Sequence, residues 1–188
     1  LRKFYNLADY LTINISSPNT ENLRSFHNED ELNELLNLIE KEKKILKTKI
    51  PISVKISPDI KDQNINIISD LLLKHNVEAL IVSNTTDKNR ENLSNINKLE
   101  KGGLSGKPLE KRSNELINKF YKILKNKVKI IGVGGVDSGQ SAYQKIISGA
   151  SLIQLYTGMI YQGPSIASKI SEELINILDK EGVKNISD

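Results

Sequence analysis

Five apolar runs alternate along this chain with five stretches whose apolar residues recur every three to four positions, and that alternation constrains the fold most. The runs are Tyr10–Ile15, Pro51–Ser57, Ala79–Asn84, Lys127–Gly135 and Ser151–Gly158. Parallel neighbours need a crossover long enough to carry the chain back, so strand and helix by turns predicts a parallel sheet. The first helix is expected over Glu29–Lys47, with Leu32, Leu35, Leu36, Ile39 and Leu46 on one stripe and Asn28 or Asp30 as its cap. Further helices are expected over Asp62–His75, Leu109–Asn126, Ser138–Ser148 and Ser165–Lys180. Residues Asp87–Lys107 read as a polar insertion.

The strand ends narrow the choice between a doubly wound sheet and a (β/α)8 barrel. Tyr10–Ile15 empties into Ser16-Ser17-Pro18-Asn19-Thr20, and Ala79–Asn84 into Thr85-Thr86. Lys127–Gly135 closes in Gly132-Val133-Gly134-Gly135. Chemistry drawn from many strand ends suits a barrel, whereas a doubly wound sheet works mainly at one switch point. Five strands cannot close a barrel of eight, so three are expected from sequence upstream of Leu1. Residues 1–188 are thus read as the carboxyl-terminal part of one barrel domain.

Composition removes several chemistries. There is no Cys, hence no disulfide, thiolate metal site or cysteine nucleophile. His27 and His75 have no ligand partner at useful spacing, so neither a metal centre nor a Ser-His-Asp triad is expected. The net charge of +4 is concentrated in Lys41–Lys49, where no aromatic residues are interleaved. That pattern reads as a solvated helix face, and no nucleic-acid partner is expected. No apolar run approaches the roughly 20 residues of a membrane span.

Three features carry chemistry. Gly132-Val133-Gly134-Gly135-Val136-Asp137-Ser138-Gly139 joins a strand to a helix, where exposed amides favour an anion. Alone it could be a tight turn; paired with Gln154-Leu155-Tyr156-Thr157-Gly158 after the next strand it matches the usual phosphate site of a barrel. Lys55 sits in an apolar strand, where it either meets an anionic group at the barrel mouth or reaches solvent between helices. Val54 and Ile56 should face the helix layer, which favours the mouth. Ser17 has no histidine to activate it, and on its own it reads as a turn residue. Asn14, Asn19 and Asn84 offer neutral donors and acceptors suited to a flat heterocycle bearing amides.

These blocks occur together, and in order, in one family. Asn14–Thr20, Val54-Lys55-Ile56-Ser57-Pro58-Asp59, Ser83-Asn84-Thr85-Thr86, Gly102–Leu109, Ile130–Val136, Gly149-Ala150-Ser151 and Gln154–Thr157 resemble the class 2, quinone-dependent dihydroorotate dehydrogenases over essentially the whole chain. The resemblance implies an FMN-binding (β/α)8 TIM barrel that oxidises (S)-dihydroorotate to orotate in pyrimidine biosynthesis, with about five of the eight strand–helix units present here. It implies Ser17 as the base for the C5 proton and Thr20 as its relay; class 1 enzymes have cysteine at the Ser17 position. It implies orotate contacts from Asn14, Ser17, Asn19, Asn84 and Thr85. Cofactor contacts are implied for Asn14, Lys55, Ser83, Gly106, Gly135, Tyr156 and Thr157, with Lys55 beside the N1–C2 edge of the flavin. A membrane quinone is the implied acceptor. Peripheral membrane attachment is implied through an amino-terminal segment absent here, at the cytoplasmic face of a bacterial inner membrane or at a mitochondrial inner membrane. The rival expectations are another FMN-barrel oxidoreductase of the same superfamily and a non-catalytic phosphate-binding half barrel.

Overall fold

All five strands lie parallel in one sheet, in the order in which the chain makes them. The computed structural model describes residues 1–20, 23–88, 90–91 and 93–186. Strand β1 is Leu11–Asn14, β2 Ile52–Ile56, β3 Ala79–Val82, β4 Lys129–Val133 and β5 Leu152–Gln154. A doubly wound sheet reverses its strand order at a switch point. This one never reverses, so it is an arc of a singly wound barrel.

Helices α1 (Glu29–Ile45), α2 (Gln63–Lys74), α3 (Glu110–Leu124) and α4 (Gly139–Ile147) follow β1 to β4. Two helices follow β5: a short α5 (Thr157–Gln162) and α6 (Ile166–Glu181). The pleat sends alternate residues to opposite faces. Val54, Ile56, Leu80, Val82 and Ile130 join Leu32, Ile68, Leu72, Ile117 and Phe120 of the helices in one dry core. Burying each such side chain stabilises the fold by about 1.5–3 kcal/mol. A smaller cluster of Val136, Ala142, Ile166 and Ile170 packs α4 against α6.

The opposite face carries Thr12, Asn14, Ser53, Lys55, Ile81, Ile131 and Val133 in neighbouring rows. Lys55 therefore turns away from the helix layer, because Val54 and Ile56 occupy it. Thr12 and Ser53 hydroxyls meet at 2.8 Å lower on the same face. The outer strands are less protected: β1 has no buried residue, and Leu152 of β5 is 61% exposed.

Several boundaries differ from expectation. Asn28 occupies the cap of α1 but makes no side-chain cap bond; Glu29, Asp30 and Glu31 complement the helix dipole instead. Ser138, by contrast, caps α4 in a reciprocal capping box with Ser141. The last strand is shorter than Ser151–Gly158, because the chain turns into α5 at Thr157. The insertion is closed at its stem by an antiparallel bridge between Thr86 and Leu104. Arg90 stitches its interior by donating to the carbonyls of Lys98, Glu100 and Gly102. No helix among the described residues is long and apolar enough to cross a membrane.

Candidate active site

A cavity of about 760 Å³ opens where β2 to β5 end. It gathers eight of the residues singled out from sequence: Lys55, Ser83, Asn84, Thr85, Gly106, Gly135, Tyr156 and Thr157. Its size falls in the range of cofactor and ligand pockets. Asn14, Ser17, Asn19 and Thr20 do not line it.

On one side, two loops press together to form a cradle of amides. Gly135 lies at φ +78°, and a Cβ there would stand 2.5 Å from Glu110 Cβ, so the turn seats directly on the start of α3. Gly158 packs against Val136, whose carbonyl oxygen would be 2.6 Å from an added Cβ. Gly106 fits under Thr157, and Thr157 Oγ1 donates to Ser105 Oγ at 2.9 Å. Among the described residues the amides of Gly134, Gly135, Val136, Thr157 and Gly158 meet no protein acceptor. Unpaired amides converging on a cavity suit an anion such as a phosphate. Lys107 nearby is held by Glu110 at 2.7 Å and Asp137 at 3.4 Å.

Lys55 contributes a positive charge at the end of β2. Burial pulls its pKa below the ordinary lysine value, and it forms none of the described ion pairs. A desolvated amine without a carboxylate is poised for an anionic or electron-rich guest.

The opposite side is a hydrogen-bonded rim. Ser16 is fully buried; its hydroxyl donates to Asn14 Oδ1 at 2.7 Å and accepts from Asn84 Nδ2 at 2.9 Å. Asn84 Nδ2 also lies 3.3 Å from Asn14 Oδ1, and Asn84 Oδ1 accepts the Thr85 amide at 2.8 Å. Asn14 is thus joined to the cavity wall through Asn84. Ser17 is half-buried and its Oγ accepts from the Asn19 amide at 3.2 Å, while Asn19 and Thr20 are exposed. Gly103 braces this rim from the insertion: a Cβ there would collide with Thr85 Oγ1 and lie 3.3 Å from Pro18 Cγ.

Below the rim, Arg24 pairs with Asp59 at 3.2 Å, and Thr86 Oγ1 donates to Asp59 Oδ1 at 2.5 Å. Buried His27 accepts the Ser57 amide on Nε2. Burial, and then the Arg24 charge, push its pKa down to about 4, so the ring is neutral near pH 7. Ser16 and Tyr161 were not singled out from the sequence at this site. Ser16 stood inside a quoted motif; Tyr161, a cavity-lining residue, lies in the unforeseen α5.

Similarity to known proteins runs through all of these elements. A family profile described as Dihydroorotate dehydrogenase matches residues 1–178. A protein of Bartonella tribocorum called Dihydroorotate dehydrogenase (quinone) is 44% identical, with 98% of this chain and 52% of that protein aligned. One of the same name from Trichodesmium erythraeum is 43% identical, over 100% of this chain and 50% of its own length. The ligand-free crystal structure of the Eimeria tenella enzyme superposes with a TM-score of 0.92 at 38% identity, covering 96% of this chain and 54% of that one. Its complex with ferulenol gives 0.91, again at 38% identity, over 95% and 52%. The chain spans about half the length of the curated relatives it matches.

Proposed function

This chain belongs to the dihydroorotate dehydrogenase family, and from that premise we propose that it serves the oxidation of (S)-dihydroorotate to orotate in pyrimidine biosynthesis, with a quinone as final acceptor. Residues 1–188 act as the carboxyl-terminal part of a single barrel domain. The cofactor is FMN, which when bound supplies the hydride acceptor. The observation that carries the reading is the cavity itself, which pairs unsatisfied amides at one end with the uncompensated Lys55 on its wall. The donor set fits FMN: amides for a phosphate, and an amine for the edge of an isoalloxazine ring.

The roles divide by side. Gly106, Gly135, Tyr156 and Thr157 hold the phosphate end, and Ser83 and Lys55 hold the ring end. Asn14 reaches both cofactor and substrate. Asn19, Asn84 and Thr85 present amide and hydroxyl groups to the pyrimidine ring. Ser17 takes the C5 proton and Thr20 passes it outward. A serine without histidine needs a dry site and a hydroxyl relay for that task. The protein works as a peripheral membrane enzyme facing a bacterial cytoplasm or at a mitochondrial inner membrane, with quinone access and membrane contact supplied by an amino-terminal segment outside this chain. Identity along the full chain to proteins called quinone-dependent enzymes speaks against another FMN-barrel oxidoreductase or a non-catalytic half barrel.

The test is anaerobic spectroscopy on protein expressed from the complete reading frame. Purified protein should carry flavin absorbance that dihydroorotate bleaches and a soluble quinone restores. Protein without flavin, or flavin indifferent to dihydroorotate, would overturn the proposal.

A further inference from the structure

Lys145, on α4, is fully buried yet takes no part in the described ion pairs. Its Nζ donates to Ser113 Oγ at 3.1 Å and to Asn114 Oδ1 at 2.9 Å, both on α3. Burial pushes the ammonium down to about 8, with Glu110 opposing the shift. Gly132 makes room for it, since a Cβ there would stand 3.0 Å from Lys145 Cδ. An amine buried without a counter-charge is costly, and an apolar side chain would pack the same space without that cost.

What the amine does is orient a hydroxyl. Ser113 Oγ lies 2.7 Å from the Val133 carbonyl and 3.2 Å from that of Val82. A hydroxyl has one proton to give. With Lys145 donating to its lone pair, that proton goes to the closer acceptor, Val133 O. Val133 ends β4, and its carbonyl shares a peptide group with the Gly134 amide. In a planar trans peptide the N–H points opposite to the C=O, so pinning the oxygen aims the amide. Ser83 N, donating to the same oxygen at 3.2 Å, holds it from the side of β3.

We propose that Lys145 is a positioning residue for the phosphate cradle, acting through Ser113 on the Val133–Gly134 peptide; this rests on reading that cradle as the FMN phosphate site. The pair forms a relay of fixed polarity: amine to hydroxyl to carbonyl, with the Gly134 amide delivered at the far end. Neither side chain lines the cavity.

The test compares FMN with riboflavin, which lacks the phosphate, by fluorescence quenching on flavin-stripped protein from the complete reading frame. Lys145→Met should weaken FMN roughly tenfold or more while leaving riboflavin little changed. Ser113→Ala removes a single oxygen, preserves packing and should reproduce the same selective loss. The double variant should bind FMN no worse than Lys145→Met alone, because both cut one relay. Equal losses for FMN and riboflavin, unchanged FMN affinity, or additive effects would overturn the proposal. Wild-type protein that binds FMN no better than riboflavin would instead refute the phosphate site itself, and the proposal with it.

Discussion

The two sides of the cavity are built by different physics. The β4–β5 side is made of backbone: a glycine turn seated on the start of α3, the capped start of α4 and unpaired amides that no side-chain change can easily replace. The β1–β3 side is made of side chains: Asn84 lines the cavity and is held from behind by Asn14 and Ser16, which lie outside the lining together with Ser17, Asn19 and Thr20. Backbone geometry is pre-paid by the fold, whereas a rim of amides and hydroxyls needs its neighbours to finish it. A cofactor that stays bound suits the first kind of wall, and a substrate that must enter and leave suits the second.

The largest effect is expected from Ser17→Ala. Flavin should stay bound while turnover falls about 10²–10⁴-fold, the usual cost of losing a general base. Wild-type turnover near neutral pH would remove Ser17 from the mechanism and leave the rim without a catalytic member. Lys55→Ala should slow flavin reduction by roughly 10²-fold and loosen flavin retention, because a fixed charge leaves the developing anion. Lys55→Arg should recover only part of this, a planar fork being a poor substitute for a point charge. Normal reduction in Lys55→Ala would show that this amine does not face the ring.

Gly135→Ala attacks the other side. Positive φ and the contact with Glu110 make any side chain there costly, by about 2–3 kcal/mol, read as weakened FMN affinity and a lowered Tm. The KM for dihydroorotate in the flavin-loaded fraction should change little. Acid should reach the rim side first, through His27. Its folded pKa of about 4 lies below the ordinary 6.5, so the folded chain binds fewer protons than the unfolded one. The stability His27 contributes is full above pH 6.5 and is lost as pH falls toward 4. By pH 5 the loss is on the order of 2 kcal/mol, measurable by denaturant unfolding and absent in a folded His27→Gln variant.

Much of this was legible in the chain because each element announced itself locally. The alternation of Val54, Lys55 and Ile56 was enough to turn the lysine inward, and Ser138 before an apolar stripe marked the start of α4. Helix α5 was not legible: its six residues bury none of their side chains, so it has no stripe to read. Lys145 was hidden for the opposite reason. A lysine on an amphipathic helix reads as surface, and only its place three residues after buried Ala142 hints at the interior. Ser16 and Ser17 could not be told apart by type; the pleat at the end of β1 buries one and leaves the other half-exposed.

The division of labour between the two sides is tested most directly by one anaerobic experiment on Ser17→Ala and Gly135→Ala, both in protein from the complete reading frame. Flavin content and the rate of flavin reduction by dihydroorotate are measured on the same samples. A crossed result is expected: Ser17→Ala full of flavin but slow to reduce, Gly135→Ala poor in flavin but with its bound fraction reduced at close to the wild-type rate. Parallel losses of flavin and rate in both variants would contradict it, showing that the cavity acts as one undivided wall.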